Sequence, residues 1–147
     1  MSNQSKTSGA AVKPVDFEQV ASDEKHPAMK QWLILQAQLQ QNYASPKKAI
    51  TLLELVEAVY GEEVGTGLML CQAWSTVGEL EPLERKVEFL LAHGELSCEQ
   101  RAAVYYCLSV ARWKAGQKVE ARKAHRLYLS LIAKEDIKRH EKLSTES

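Results

Sequence analysis

Four histidines and three cysteines are the residues with which this chain could hold a metal, activate water or form a covalent intermediate. A zinc site needs nitrogen and sulfur ligands at short, paired spacings, of the C-x-x-C or H-x-x-x-H kind. His26, His93, His125 and His140 are scattered and make no H-x-x-x-H pair, and Cys71, Cys98 and Cys107 make no C-x-x-C. His93 and Cys98 flank one turn, but a thiol and an imidazole act as nucleophile and base only when a third group orients the base. No such group is evident. Gly65-Thr66-Gly67 has no following lysine-serine and no preceding strand, so it is a turn at a helix start rather than a phosphate cradle. Glu62 and Glu63 beside it read as charges near the positive end of that helix. The expectation is no enzyme, no metal and no cofactor.

The whole chain offers little global electrostatics. Its 147 residues carry 19 basic and 19 acidic side chains, with 45% hydrophobic and 26% charged residues, the balance of one water-soluble domain. No apolar run approaches the ~18 residues that span a bilayer, and Met1 to Ala11 lack a signal-peptide core. Unpaired cysteines fit a reducing cytoplasm, so a cytoplasmic location is expected. Locally the charge is uneven. Residues 54–99 hold ten glutamates against Arg85 and Lys86, a net −8, and residues 112–147 hold ten basic and five acidic side chains, a net +5. Such a bipolar surface can orient a charged partner. The basic stretch around Arg122, Lys123 and Arg126 lacks interleaved aromatics and any recognition motif, which argues against nucleic acid.

Breakers cut the chain into helix-sized pieces. Residues 1–26 read as an arm in which Val15, Phe17 and Val20 are the anchors available, either a disordered tail or a segment that docks on a partner. Residues 27–143 form the helical domain, and residues 144–147 a disordered tail. Pro27 precedes a helix over Ala28 to Asn42. Ser45-Pro46 caps and opens a second that runs to Tyr60, ahead of Gly61. Gly65 and Gly67 flank a third start and Gly78 ends it. Pro82 opens a fourth that Gly94 stops. Ser97-Cys98-Glu99-Gln100 is a capping box for a fifth, and Gly116 separates this from a sixth, Gln117 to about Ala133. Apolar spacing of three and four lines one face of the sixth helix through Ala121, Ala124, Leu127, Tyr128, Leu131 and Ile132. The fold class is all-α, three helical hairpins.

The hairpins repeat. Trp32-x-x-Leu35, Leu68-x-x-Cys71 and Tyr105-x-x-Leu108 lie 36 and 37 residues apart, slightly above the tetratricopeptide period of about 34. The third hairpin fits best, with Ser109 and Ala121 as small residues where its two helices cross. The second fits worst, because Arg85 falls where alanine is expected. In a stack of three such hairpins the inner faces of the first helices line a groove. The positions assigned to it are Leu33, Ala37, Gln40 and Gln41; Met69, Ala73, Thr76 and Val77; and Tyr106, Val110, Trp113 and Lys114. The third and fifth helices are apolar nearly all round, so each needs cover on both sides. One reading is that a partner helix or peptide fills the groove. The other is a closed six-helix bundle that buries both faces itself.

The segments Gln31-Trp32-Leu33-Ile34-Leu35-Gln36, Val104-Tyr105-Tyr106-Cys107-Leu108-Ser109-Val110-Ala111-Arg112 and Gly116-Gln117-Lys118-Val119-Glu120-Ala121-Arg122-Lys123-Ala124-His125-Arg126-Leu127-Tyr128-Leu129 resemble the small tetratricopeptide-like chaperones of bacterial type III secretion systems, the YscY type above all. The resemblance runs from about Gln31 to Ile132 and is weak in the middle hairpin. It implies a cytosolic, non-catalytic chaperone that binds a small secreted protein of the YscX kind and contacts the export gate. Related chaperones hold needle subunits or translocators, and a general tetratricopeptide scaffold is the alternative outside secretion. A homodimer could cover the apolar face when no client is bound. No membrane insertion is implied.

Overall fold

The structure, a computed structural model, describes residues 26–146. The arm expected over residues 1–26 therefore lies, apart from His26, outside the described residues. Six helices follow in order: α1 (Pro27–Tyr43), α2 (Pro46–Tyr60), α3 (Val64–Val77), α4 (Leu80–His93), α5 (Cys98–Lys114) and α6 (Lys118–Glu146). Among the described residues there is no strand. The protein is all-α, built of the helical hairpins α1/α2, α3/α4 and α5/α6.

The helix ends show why the breakers are where they are. Ser45 Oγ accepts from the Lys48 amide at 3.3 Å, with Pro46 in the first turn where its missing N–H costs nothing. The capping box at α5 is complete: Gln100 N–H donates to Ser97 Oγ at 3.1 Å, and Ser97 N–H donates to Gln100 Oε1 at 2.9 Å. Gly78 and Gly116 take φ of 80° and 81°, a left-handed turn that a β-carbon disfavours. There Glu79 N–H reaches the Trp74 carbonyl and Gln117 N–H the Arg112 carbonyl, closing the last turns of α3 and α5.

Three boundaries differ from the sequence expectation. α3 begins at Val64, so Gly65 and Gly67 lie inside its first turn instead of flanking its start. α4 begins at Leu80, with Pro82 in the first turn. α6 does not stop near Ala133 but runs 29 residues to Glu146, so residues 144–146 are helix and not tail. The reason is the absence of any glycine or proline after Gly116. Past Ala133 the only large apolar residues are Ile137 and Leu143, both exposed, which erases the apolar period while leaving a helix with no breaker. The Cys98 thiol donates to the Leu131 carbonyl at 3.4 Å, and Arg139 pairs with Glu99 at 3.0 Å. The stretch of α6 beyond Leu131, roughly 22 Å at 1.5 Å per residue, extends past the start of α5.

α3 is the central helix, packed on α2, α4 and α5, while α1 rests chiefly on α2 and α6 chiefly on α5. Leu53, Leu70, Leu83 and Val104 are fully buried at this centre, with Cys71, Ala73 and Trp74 of α3 among them. Small residues permit close crossings: Ala37 and Ala49 in the first hairpin, Ser109 and Ala121 in the third, all buried. In the second hairpin the role passes to α3. A β-carbon on Gly67 would stand 3.1 Å from the Leu90 Cδ2 of α4. This explains how the weak repeat forms with Arg85 at the expected alanine position. Arg85 is exposed and pairs with Glu81 within α4, whereas its neighbour Lys86 turns inward.

Lys86 links the first two hairpins. Its ammonium donates to Glu57 of α2 at 2.8 and 2.9 Å and to Glu62 at 3.2 Å. Burial by itself would lower the Lys86 pKa, but the hydrogen bond and charge of Glu57, then those of Glu62, outweigh it and the pKa is raised. Glu63 pairs with Lys30 of α1. The two glutamates read from sequence as helix-end charges are thus ties to other helices.

Candidate functional site

The sequence-assigned groove positions divide once the side chains are placed. Met69 of α3 and Tyr106, Val110 and Trp113 of α5 line open furrows on one side of the molecule. Leu33, Ala37 and Ala73 do not, contrary to their assignment to a groove: their exposures are 2%, 0% and 0%. They are core. In α1 the frame anchored on Trp32 and Leu35 is turned, because Leu33 and Ala37 face the interior while Trp32 and Leu35 stay 49% and 50% exposed. Two apolar stripes run along α1, and sequence spacing alone gives no reason to choose between them. Val77 packs against the core edge, and Gln40 carries a buried Oε1 with no hydrogen-bond partner among the described residues.

Four depressions join into one surface. Between α5 and α6 a cavity of about 370 Å³ is lined by Tyr106, Val110, Trp113, Arg122 and His125. Between α3 and α5 a furrow of about 530 Å³ is lined by Met69, Gln72, Thr76, Tyr106, Val110 and Lys114. Met69 and Gln72 also border the cleft between α1 and α3, with Leu35 and Leu39 on its far wall. Tyr106 further borders a depression toward Tyr128, Ile132, Glu135 and Asp136 of α6. Tyr106 is therefore the hub. Its ring lies 5.3 Å from that of Tyr128, which lies 5.7 Å from the His125 ring.

The surface is held rigid from beneath. Lys114 Nζ donates to the carbonyls of Ser75 and Thr76 at 3.0 and 2.9 Å, satisfying free acceptors at the C-terminus of α3 and tying α5 to it. Above it the apolar groups stay open: Tyr106 is 49% and Trp113 54% exposed, and Lys118 Nζ sits 5.6 Å from the Trp113 ring. Completing the burial of Met69, Tyr106, Val110 and Trp113 would contribute on the order of 4 kcal/mol before association costs.

Sequence reasoning missed Leu35, Leu39, Gln72, Arg122, His125, Tyr128 and Ile132. The α6 members carry a signal: Arg122, His125, Tyr128 and Ile132 recur at three- and four-residue steps, one flank of the helix.

The groups singled out for chemistry are dispersed. The His93 ring packs tilted against Phe89 at 5.0 Å, and the Cys98 thiol is turned to Leu131, so the two do not address one another. Burial, and the nearby Cys107, push the Cys71 thiol up to about 12; burial pushes Cys107 to about 11. Such thiols act as small apolar groups. Among the described residues no group of three His, Cys, Asp or Glu could hold a metal ion, and no helix is long and apolar enough to cross a membrane. No protein family, curated protein or solved structure matches this chain.

Proposed function

We propose that this protein is a non-catalytic chaperone that holds an apolar segment of another polypeptide along the α3–α5–α6 furrow. The observation that carries the proposal is the continuity of that surface around Tyr106, with half-exposed aromatic side chains on a braced helical frame. Open apolar patches of this kind on small proteins mark interaction sites. The resemblance of the first and third hairpins to type III secretion chaperones supplies the class of client: a small secreted protein of the YscX kind that is stabilised until export. A contact with the export gate belongs to the same reading.

The test is co-expression with candidate small secreted proteins, followed by identification of what stays bound. Met69→Glu, Tyr106→Glu and Val110→Glu place a charge in the furrow outside the buried core. Each should abolish co-purification of the client while helicity by circular dichroism is unchanged. Normal retention by all three variants would refute the furrow as the binding surface.

A further inference from the structure

The furrow along α5 and α6 is graded in charge from one end to the other. At the α5 C-terminus its walls carry Lys114, Arg122 and His125, and no carboxylate. At the α5 N-terminus they carry Glu99, Glu135, Asp136 and Arg139. Arg139 is spent on Glu99, so Glu135 and Asp136 leave that end acidic. Lys134 and Lys138 step to the flank of α6 opposite Asp136, at 100° per residue. Between the two ends lie Tyr106, Tyr128 and Ile132. Arg122 and Asp136 are fourteen residues apart on one helix, roughly 21 Å at 1.5 Å per residue.

We propose that the furrow selects a partner helix of about four turns with matching charge polarity. One face of it is apolar, acidic residues lie at the end beside Lys114 and Arg122, and basic residues lie at the end beside Asp136. The inference rests on the chaperone reading and adds to it the chemistry and orientation of the bound segment. Opposed charges across an interface rim contribute less to affinity than to register and to the rejection of wrong orientations. A uniformly acidic or uniformly basic helix would satisfy one end and be repelled at the other.

The probes are synthetic amphipathic helices with one apolar face: a bipolar peptide, and uniformly acidic and uniformly basic ones. A nitroxide is placed at either end of the bipolar peptide, and the full chain reports through Trp113, which lines the basic end, its share of the emission identified against a Trp113→Phe control because Trp32 and Trp74 also fluoresce. The bipolar peptide should bind tightest by fluorescence anisotropy, and its preference should fade in 1 M salt as screening tightens to about 3 Å. A label on its acidic end should quench Trp113, and one on its basic end should not. Arg122→Glu should weaken it about three- to tenfold, the scale of exposed charge pairs turned repulsive. Arg122→Glu with Asp136→Lys brings the charge at both ends to about zero, so the difference between the two labels should vanish in that variant. Equal quenching from both ends of the peptide on the unsubstituted chain, with binding intact, would overturn the polarity and leave the chaperone reading standing. No binding by any peptide would overturn both. A dimer in sedimentation that the peptide disperses would assign the furrow to a second copy and overturn the inference.

Discussion

Lys86→Met should cost this protein more stability than any loss of an exposed ion pair. The Lys86 side chain is 9% exposed and its principal partner Glu57 12%, so removing the ammonium strands a carboxylate that water barely reaches. Breaking a fully buried pair by deleting one partner costs about 3–5 kcal/mol. With some water access left to Glu57, roughly 2–3 kcal/mol is expected here. Glu62 is 48% exposed and adds little. With a urea m-value of about 2 kcal/mol/M, the midpoint should fall by about 1–1.5 M. The double variant Lys86→Met with Glu57→Leu removes both charges while keeping the volume, and should return to within about 1 kcal/mol of the starting stability. Urea unfolding followed at 222 nm on the four members of the cycle measures the coupling. A single variant whose midpoint moves by less than about 0.3 M, or a double variant no more stable than Lys86→Met, would refute the idea that this tie is a buried charge held by its partner.

Alkali should destabilise the fold from near pH 9. Cys71 and Cys107 keep their protons in the folded chain to about 12 and 11 but lose them in the unfolded chain from about 8.5, so the unfolded form binds fewer protons and each thiol removes up to about 1.4 kcal/mol per pH unit in that window. Lys86, whose pKa is raised, acts in the same direction above about 10.4, where the unfolded lysine deprotonates first. The check is urea midpoints from pH 8 to 10.5; replacing both thiols by alanine should flatten the profile below pH 10. Ellman's reagent at pH 8 should titrate Cys98 readily and the two buried thiols only after unfolding. Lys114→Met, which leaves the Ser75 and Thr76 carbonyls without their donor, should cost about 1–2 kcal/mol in thermal or urea unfolding.

Much of the helical layout was legible because it is written in local chemistry. Ser45, Ser97 with Gln100, Gly78 and Gly116 act through their own backbone neighbourhood, so their effect does not wait on tertiary contacts. The end of α6 was not legible, because polar residues past Ala133 carry no period and no breaker marks the stop. The furrow was read in part. Met69, Tyr106, Val110 and Trp113 lie on it, because α5 keeps the repeat register and α3 keeps it only in part, burying Ala73, whereas α1 is turned and buries Leu33 and Ala37.

Residue order by itself determined that this chain forms α-helices, how many of them follow Pro27, and which small residues allow them to cross closely. Those outcomes depend on backbone preferences and on spacing within a single helix. Only the tertiary structure decided which apolar stripe of α1 turns inward, that Gly67 supplies the close approach of α3 to α4 while Arg85 stays exposed, and that Lys86 reaches Glu57 across a hairpin boundary. It also brought Arg122 and Asp136 to opposite ends of one apolar furrow. Each of these turns on how one helix is rotated against another, and that rotation is set by the packing of the whole core.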